Sequence, residues 1–133
     1  MLKLEIVTPE KKVFDETVDS VTVPTASGEA GILPNHAPLI SALKPGILSY
    51  TLNGTTERLA VSGGFVEVSS NSVSVLTDTA EVASEIDAEA ARAERDAAEK
   101  ALAARATAAL EDTESDRERL DAANARLSLV TGR

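Results

Sequence analysis

The hydrophobic period of this chain changes once, near Ser84, and that change limits the fold more than any other feature. Before it, apolar residues alternate. Leu2, Leu4 and Ile6 sit two apart with Lys3 and Glu5 between them, Val21 and Val23 flank Thr22, and Val73 and Val75 flank Ser74. Period two with β-branched residues describes half-buried strands. After it, sixteen of the residues from Ala83 to Ala125 are alanine, with no glycine or proline among them. Alanine is the strongest helix former. One chain of 133 residues thus divides into a β part and an α part, with room for a single modest core.

Turn signals divide the β part into short strands. Asn53-Gly54 joins Ile47–Leu52 to Thr55–Val61, because both turn residues tolerate the positive φ of a tight hairpin. Ser69-Ser70-Asn71 makes a second turn, and breaks fall at Pro9, Pro24, Ser27-Gly28, Pro45-Gly46 and Gly63-Gly64. The glycine pair reads as a bulge or a close backbone approach. Strands at this spacing predict a β-sandwich, or flattened barrel, over residues 1–83. Over residues 84–133 the sequence predicts an antiparallel α-helical hairpin. Ser84 or Asp87 caps a first helix that runs to about Leu110. Glu111-Asp112-Thr113-Glu114 is the expected turn. The capping box Ser115-Asp116-Arg117-Glu118 then opens a second helix whose stripe is Leu120, Ala123, Leu127 and Val130. Alanine methyls give this hairpin little to hold with, about 0.8 kcal/mol each on burial against about 2 for a leucine.

Composition removes several function classes. Net charge is −9, with 22 acidic and 13 basic residues, against the positive footprint that nucleic acid or anionic lipid demands. Without cysteine there is neither disulfide nor thiol chemistry. No apolar run reaches the about 20 residues of a membrane span, and Met1-Leu2-Lys3-Leu4-Glu5 does not read as a signal peptide, so a soluble, cytoplasmic chain is expected. Phe14, Tyr50 and Phe65 are too few rings for an aromatic ligand pocket. No metal cluster, Walker loop or nucleophile elbow is present. No cofactor and no catalytic residue are expected.

The densest backbone punctuation lies in Gly28-Glu29-Ala30-Gly31-Ile32-Leu33-Pro34-Asn35-His36-Ala37-Pro38-Leu39, which reads as a shaped loop carrying the lone histidine. Together with Lys44-Pro45-Gly46, Ser62-Gly63-Gly64-Phe65-Val66-Glu67-Val68 and Val75-Leu76-Thr77-Asp78-Thr79-Ala80-Glu81, it resembles the epsilon subunit of bacterial and chloroplast F-type ATP synthase. That family includes the mitochondrial subunit called delta. The four motifs stand in the family's order, and the resemblance covers nearly the whole chain.

The resemblance implies a non-catalytic rotor subunit on the central stalk. Its sandwich would bind the gamma subunit and rest on the c-subunit ring, coupling proton-driven rotation to ATP synthesis in the alpha/beta head. Its helical hairpin would inhibit ATP hydrolysis. The membrane would be met only through the c ring, at the cytoplasmic face of a bacterial plasma membrane or the stromal face of a thylakoid. Glu29 and His36 take the family's c-ring positions; the local alternatives are a solvated turn acid and a loop-bracing imidazole. Arg117, Arg119 and Arg126, with Arg92, Arg95 and Arg105 on the first helix, take those of basic residues that meet acidic catalytic beta subunits. The local alternative is pairing within the hairpin, which from Glu85 onward carries eight basic against twelve acidic residues. The family's ATP motif places an arginine three residues after Asp87. Ala90 stands there, and Arg92 falls about 140° around the helix from Asp87. Asp87 then reads as a helix cap, and weak or absent ATP binding is expected. Two other classes each fit part of the sequence: a small-ligand sandwich with a helical lid, and an adaptor whose hairpin pairs with partner helices.

Overall fold

The structure, a computed structural model, describes residues 1–104 and 110–131. Eight strands form one hydrogen-bonded sheet folded over itself into a sandwich. They are β1 (Leu2–Val7), β2 (Lys12–Val18), β3 (Ser20–Thr25), β4 (Gly28–Ile32), β5 (Leu39–Leu52), β6 (Thr55–Ser69), β7 (Ser72–Thr77) and β8 (Ala80–Glu81). The order is β2-β1-β7-β6-β5-β3-β4, with β8 added to β6. All pairings are antiparallel except β1 with β7. The alternation seen in sequence sets what lies inside: Leu2, Leu4, Ile6, Val21, Val23, Val73 and Val75 are all buried in one core. Phe14 and Tyr50 stack across it with ring centroids 4.5 Å apart, so two of the chain's three rings pack against this core.

Both expected turns are present. Asn53 and Gly54 take φ of 52° and 79° between β5 and β6, while Ser70 and Asn71 take 46° and 66° between β6 and β7. The long β5–β6 ribbon also bends midway. The inward residues are Leu39 and Leu43 before the bend on β5 and Leu48 and Tyr50 after it. On β6 they are Leu59 and Val61, then Val66 and Val68. Each strand switches from odd to even positions, yet the pairing runs straight from Leu43↔Gly64 to Pro45↔Ser62. The switch is made by Pro45-Gly46 on one strand and by Gly63 and Gly64, with φ of 105° and 115°, on the other. A Cβ on Gly64 would collide with the Leu76 carbonyl, so the close approach expected at the glycine pair is real.

A 3₁₀ turn (Ala83–Glu85) leads to α1 (Ala88–Ala104) and α2 (Leu110–Thr131). Asp87 Oδ1 accepts from the Glu89 and Ala90 amides at 3.0 and 3.1 Å, which makes it the N-cap of α1. Glu94 pairs with Arg119, while Ala90 shares a cleft wall with Ala122 and Ala123, so the helices run antiparallel. Ala123 and Leu127 from the expected stripe are buried, and Leu120 and Val130 are half-buried. Ala125 and Leu129 lie on a second apolar face, packed with Ala60, Ile47 and Ile86. Helix α2 therefore lies between α1 and the sandwich.

Several expectations require correction. Glu111-Asp112-Thr113-Glu114 is not a turn but part of α2, and the capping box Ser115-Asp116-Arg117-Glu118 lies inside that helix. Leu110, near which the first helix was expected to end, belongs to α2, while α1 is described as far as Ala104. Glutamate is a good helix former, and serine and aspartate, though they favour caps, are carried within a helix held by the packing of Ala123, Ala125, Leu127 and Leu129, with Asp116 paired to Arg119. The stretch Gly28–Ile32 is likewise strand rather than loop, because it pairs fully with β3 from Thr25↔Gly28 to Val21↔Ile32.

Candidate functional site

Three surfaces stand out, of which the first and third carry the residues singled out above. The first is the short loop 33–38 at one end of the sandwich. It is tied down at several points. Asn35 sits at φ 66°, its amide donates to Asn71 Oδ1 at 2.5 Å, and Asn71 Nδ2 returns a weaker bond of 3.4 Å. The Asn71 carbonyl in turn accepts from the Lys3 amide. The loop is thereby joined to the β6–β7 turn and to β1. His36 is half-buried; its amide donates to the Leu33 carbonyl, and its ring Nδ1 donates to the Ala37 carbonyl at 2.6 Å. That bond braces the loop and leaves Nε2 outside it. Glu29 is elsewhere: it is exposed on β4, opposite Pro24, beside the β3–β4 turn that Thr25 Oγ1 closes on Gly28. No hydrogen bond or ion pair joins Glu29 to His36 among the described residues.

The second surface was not anticipated. Val7, Leu76, Phe65 and Ala42 stand side by side across β1, β7, β6 and β5 on the outer face of the sandwich. Ile40 lies on the same face, opposite Glu67. Ile40, Phe65 and Leu76 are 75%, 60% and 54% exposed. Val7, Pro9, Phe65, Leu76 and Asp78 line an apolar groove of about 360 Å³. Large side chains uncovered together mark an interaction surface. The signal was in the alternation: with Val66, Val68, Val73 and Val75 inside, Phe65 and Leu76 occupy positions that should have been polar. The chain's own helices cover the other half of the same ribbon, at Ile47 and Ala60. Toward β2 the outer face is charged. Lys12 bonds both Glu5 and Asp15 at 3.1 and 3.2 Å, and Lys3 approaches Asp15 at 3.7 Å. The bond from Lys12 lowers the Asp15 pKa, and Glu5 above all raises that of Lys12.

The third surface is a cleft of about 370 Å³ between the hairpin and the sandwich, whose walls include Glu81, Ala90, Glu94, Arg119 and Arg126. Arg126 reaches across to β8, with Nη2 and Nε 2.6 and 2.7 Å from Glu81 Oε1. Arg119 Nε lies 2.6 Å from Glu94 Oε1 on α1, and its Nη1 lies 3.3 Å from Asp116. The Glu94 bond is the main reason that the Arg119 pKa is raised. Arg117 is half-buried, Arg95 pairs with Asp96 and Glu99, Arg92 is exposed and does not line the cleft, and Arg105 lies outside the described residues. Two of the three inhibitory candidates are thus brought together at the cleft, each against a carboxylate.

The family profile described as ATP synthase, Delta/Epsilon chain, beta-sandwich domain matches residues 1–83. The chain belongs to this family. An ATP synthase epsilon chain of Carboxydothermus hydrogenoformans is 53% identical over 104 residues, covering 78% of each chain. One from Nitratidesulfovibrio vulgaris is 51% identical over 118 residues, covering 83% of this chain and 88% of its own. Among solved structures, a chain in the Euglena gracilis mitochondrial ATP synthase assembly of OSCP, F1 and c-ring superposes with a TM-score of 0.76. It is 25% identical, and the alignment covers 93% of this chain and 78% of that one. A chain of the Tetrahymena thermophila central stalk and c-ring matches at a TM-score of 0.57 and 15% identity, covering 98% and 94%, a likeness of fold. Among the described residues of this epsilon-family chain, no helix is long and apolar enough to cross a membrane.

Proposed function

We propose that the chain is the non-catalytic rotor subunit of the central stalk in a proton-translocating F-type ATP synthase. The sandwich, residues 1–83, grips gamma and rests on the c ring, transmitting ring rotation to ATP synthesis in the alpha/beta head. The hairpin, residues 84–133, restrains ATP hydrolysis. The chain is then peripheral to the membrane, held there by the complex at the cytoplasmic face of a bacterial plasma membrane or the stromal face of a thylakoid. The observation that carries the reading is the uncovered row of Phe65, Leu76 and Ile40 on a tightly cored sandwich. A torque-bearing part needs a rigid body and an apolar grip, and gamma is the partner that such a part holds.

The braced loop with His36, and the exposed Glu29, offer an imidazole and a carboxylate to polar loops of the ring. Arg117, Arg119 and Arg126 are suited to carboxylates of the catalytic beta subunits through their forked guanidinium groups. ATP binds weakly or not at all. Asp87 is engaged as a helix cap, Ala90 stands where the motif needs an arginine, and the cleft arginines already hold carboxylates. Reconstitution with a gamma-containing catalytic head tests the division of labour. A chain ending at residue 83 should still bind gamma, and hydrolysis should be faster with it than with the full chain. Loss of gamma binding by the truncated chain refutes the reading.

A further inference from the structure

Among the described residues, the buried apolar patch between the hairpin and the sandwich is small. The buried apolar residues between them are Ala60, Ala125 and Leu129, with Ile47 and Ile86 half-buried beside them. Next to that small patch the cleft stays open, and it is bridged by the Arg126 guanidinium on Glu81. This pair joins α2 to β8. The other strong pair, Arg119 with Glu94, joins α2 to α1 and so ties the hairpin to itself. The two carboxylates therefore do different work, although both face one cleft. The Arg126–Glu81 side chains are 35% and 24% exposed, less than the 42% and 43% of Arg119 and Glu94. A pair drawn partly out of water is screened less and attracts more strongly than one on an open surface.

We infer that Glu81 is the latch of the docked hairpin: its carboxylate holds Arg126 against the sandwich, and the hairpin leaves only when that pair opens. The inference rests on the regulatory reading of the hairpin and adds its switch. A docked hairpin and an Arg126 free to meet a carboxylate on another subunit exclude each other, because one guanidinium makes both contacts. Release therefore exchanges an internal carboxylate for an external one, and an acidic partner surface competes directly with Glu81. Glu94 takes no part in release. Its loss would loosen α1 from α2 while α2 stays on β5 and β6.

Hydrogen exchange on the full-length chain tests this at the amides of α2, with those of the sandwich core as an internal standard. Glu81→Gln is expected to raise α2 exchange about fivefold, the factor that about 1 kcal/mol represents at 25 °C. Core exchange should be unchanged. About 1 M salt, where the screening length falls to about 3 Å, should bring the wild type toward the variant. The exchanged pair Glu81→Arg with Arg126→Glu should restore protection, and Glu94→Gln should raise exchange in α1 more than in α2. Unchanged α2 exchange in Glu81→Gln, or no rescue by the exchanged pair, overturns the latch. The same variants are then added to a catalytic head. Slower hydrolysis with Glu81→Gln than with the wild type supports the regulatory reading. Equal hydrolysis despite raised α2 exchange overturns that reading and leaves the latch standing.

Discussion

Replacing Phe65 with serine separates grip from fold. A fully buried phenylalanine removes about 200 Å² from water. Phe65 is 60% exposed, so about 120 Å² of it remains for a partner to cover. At about 25 cal/mol per Å² that area represents about 3 kcal/mol, or about a 100-fold change in Kd. The part already buried is smaller, about 80 Å², which limits the cost to folding to about 2 kcal/mol. The outward direction of the side chain, between the inward Gly64 and Val66, is the reason the two costs can be told apart. Calorimetric titration of purified gamma polypeptide with wild type and Phe65→Ser gives the first number, and urea denaturation followed by circular dichroism gives the second. A folded variant that binds gamma within threefold of wild type refutes the assignment of this face. Leu76→Ser, its cross-strand neighbour, should weaken binding in the same direction.

Three further outcomes are expected. Gly64→Ala should cost more than about 3 kcal/mol in urea denaturation, since it combines a positive-φ penalty with a backbone collision. Asp87→Ala should cost about 1 kcal/mol through loss of the α1 cap, visible as faster amide exchange in the first turn of α1. The lowered pKa of Asp15 contributes stability that is full above the ordinary aspartate range and is lost as pH falls through the depressed value. Asp15→Asn should therefore flatten the acid limb of a melting-temperature profile. Lys12 is raised, so its contribution is full below the ordinary lysine range and is lost only as pH rises through the higher value.

The alternating strands β1, β3 and β7 and the tight turns were legible because their causes are local, whereas the breaks expected at Pro24, Pro45-Gly46 and Gly63-Gly64 lie within β3, β5 and β6. Alternating valines pack on a pleated face, and Asn53-Gly54 accepts a backbone that other pairs resist. Longer-range pairing was less visible. Gly28 and Gly31 look like loop residues until β3 offers a complete ladder of partners, and at a sheet edge that ladder outweighs weak propensity. In the hairpin, Glu111 to Glu118 contains signals that fit a turn or a cap as well as the helix interior they occupy. The cap at Asp87 was legible because the break in helical pattern lies just before it. The cleft pairs were not, since Arg126 and Glu81 stand 45 positions apart and nothing near either names the other. His36 was marked by its rarity, and its bond to Ala37 became visible only with the loop in place.

The midpoint bend of β5 and β6 has a wider consequence. Because both strands change parity together, the ribbon behaves as a hinge plate with two leaves. One leaf is roofed by the chain's own helices, and the other is bare. A single-residue insertion in either strand would turn half of its side chains inside out, so length at this seam is as constrained as identity. Variation in the roof, by contrast, is confined to its own leaf, which frees the helices to diversify while the bare leaf keeps its shape.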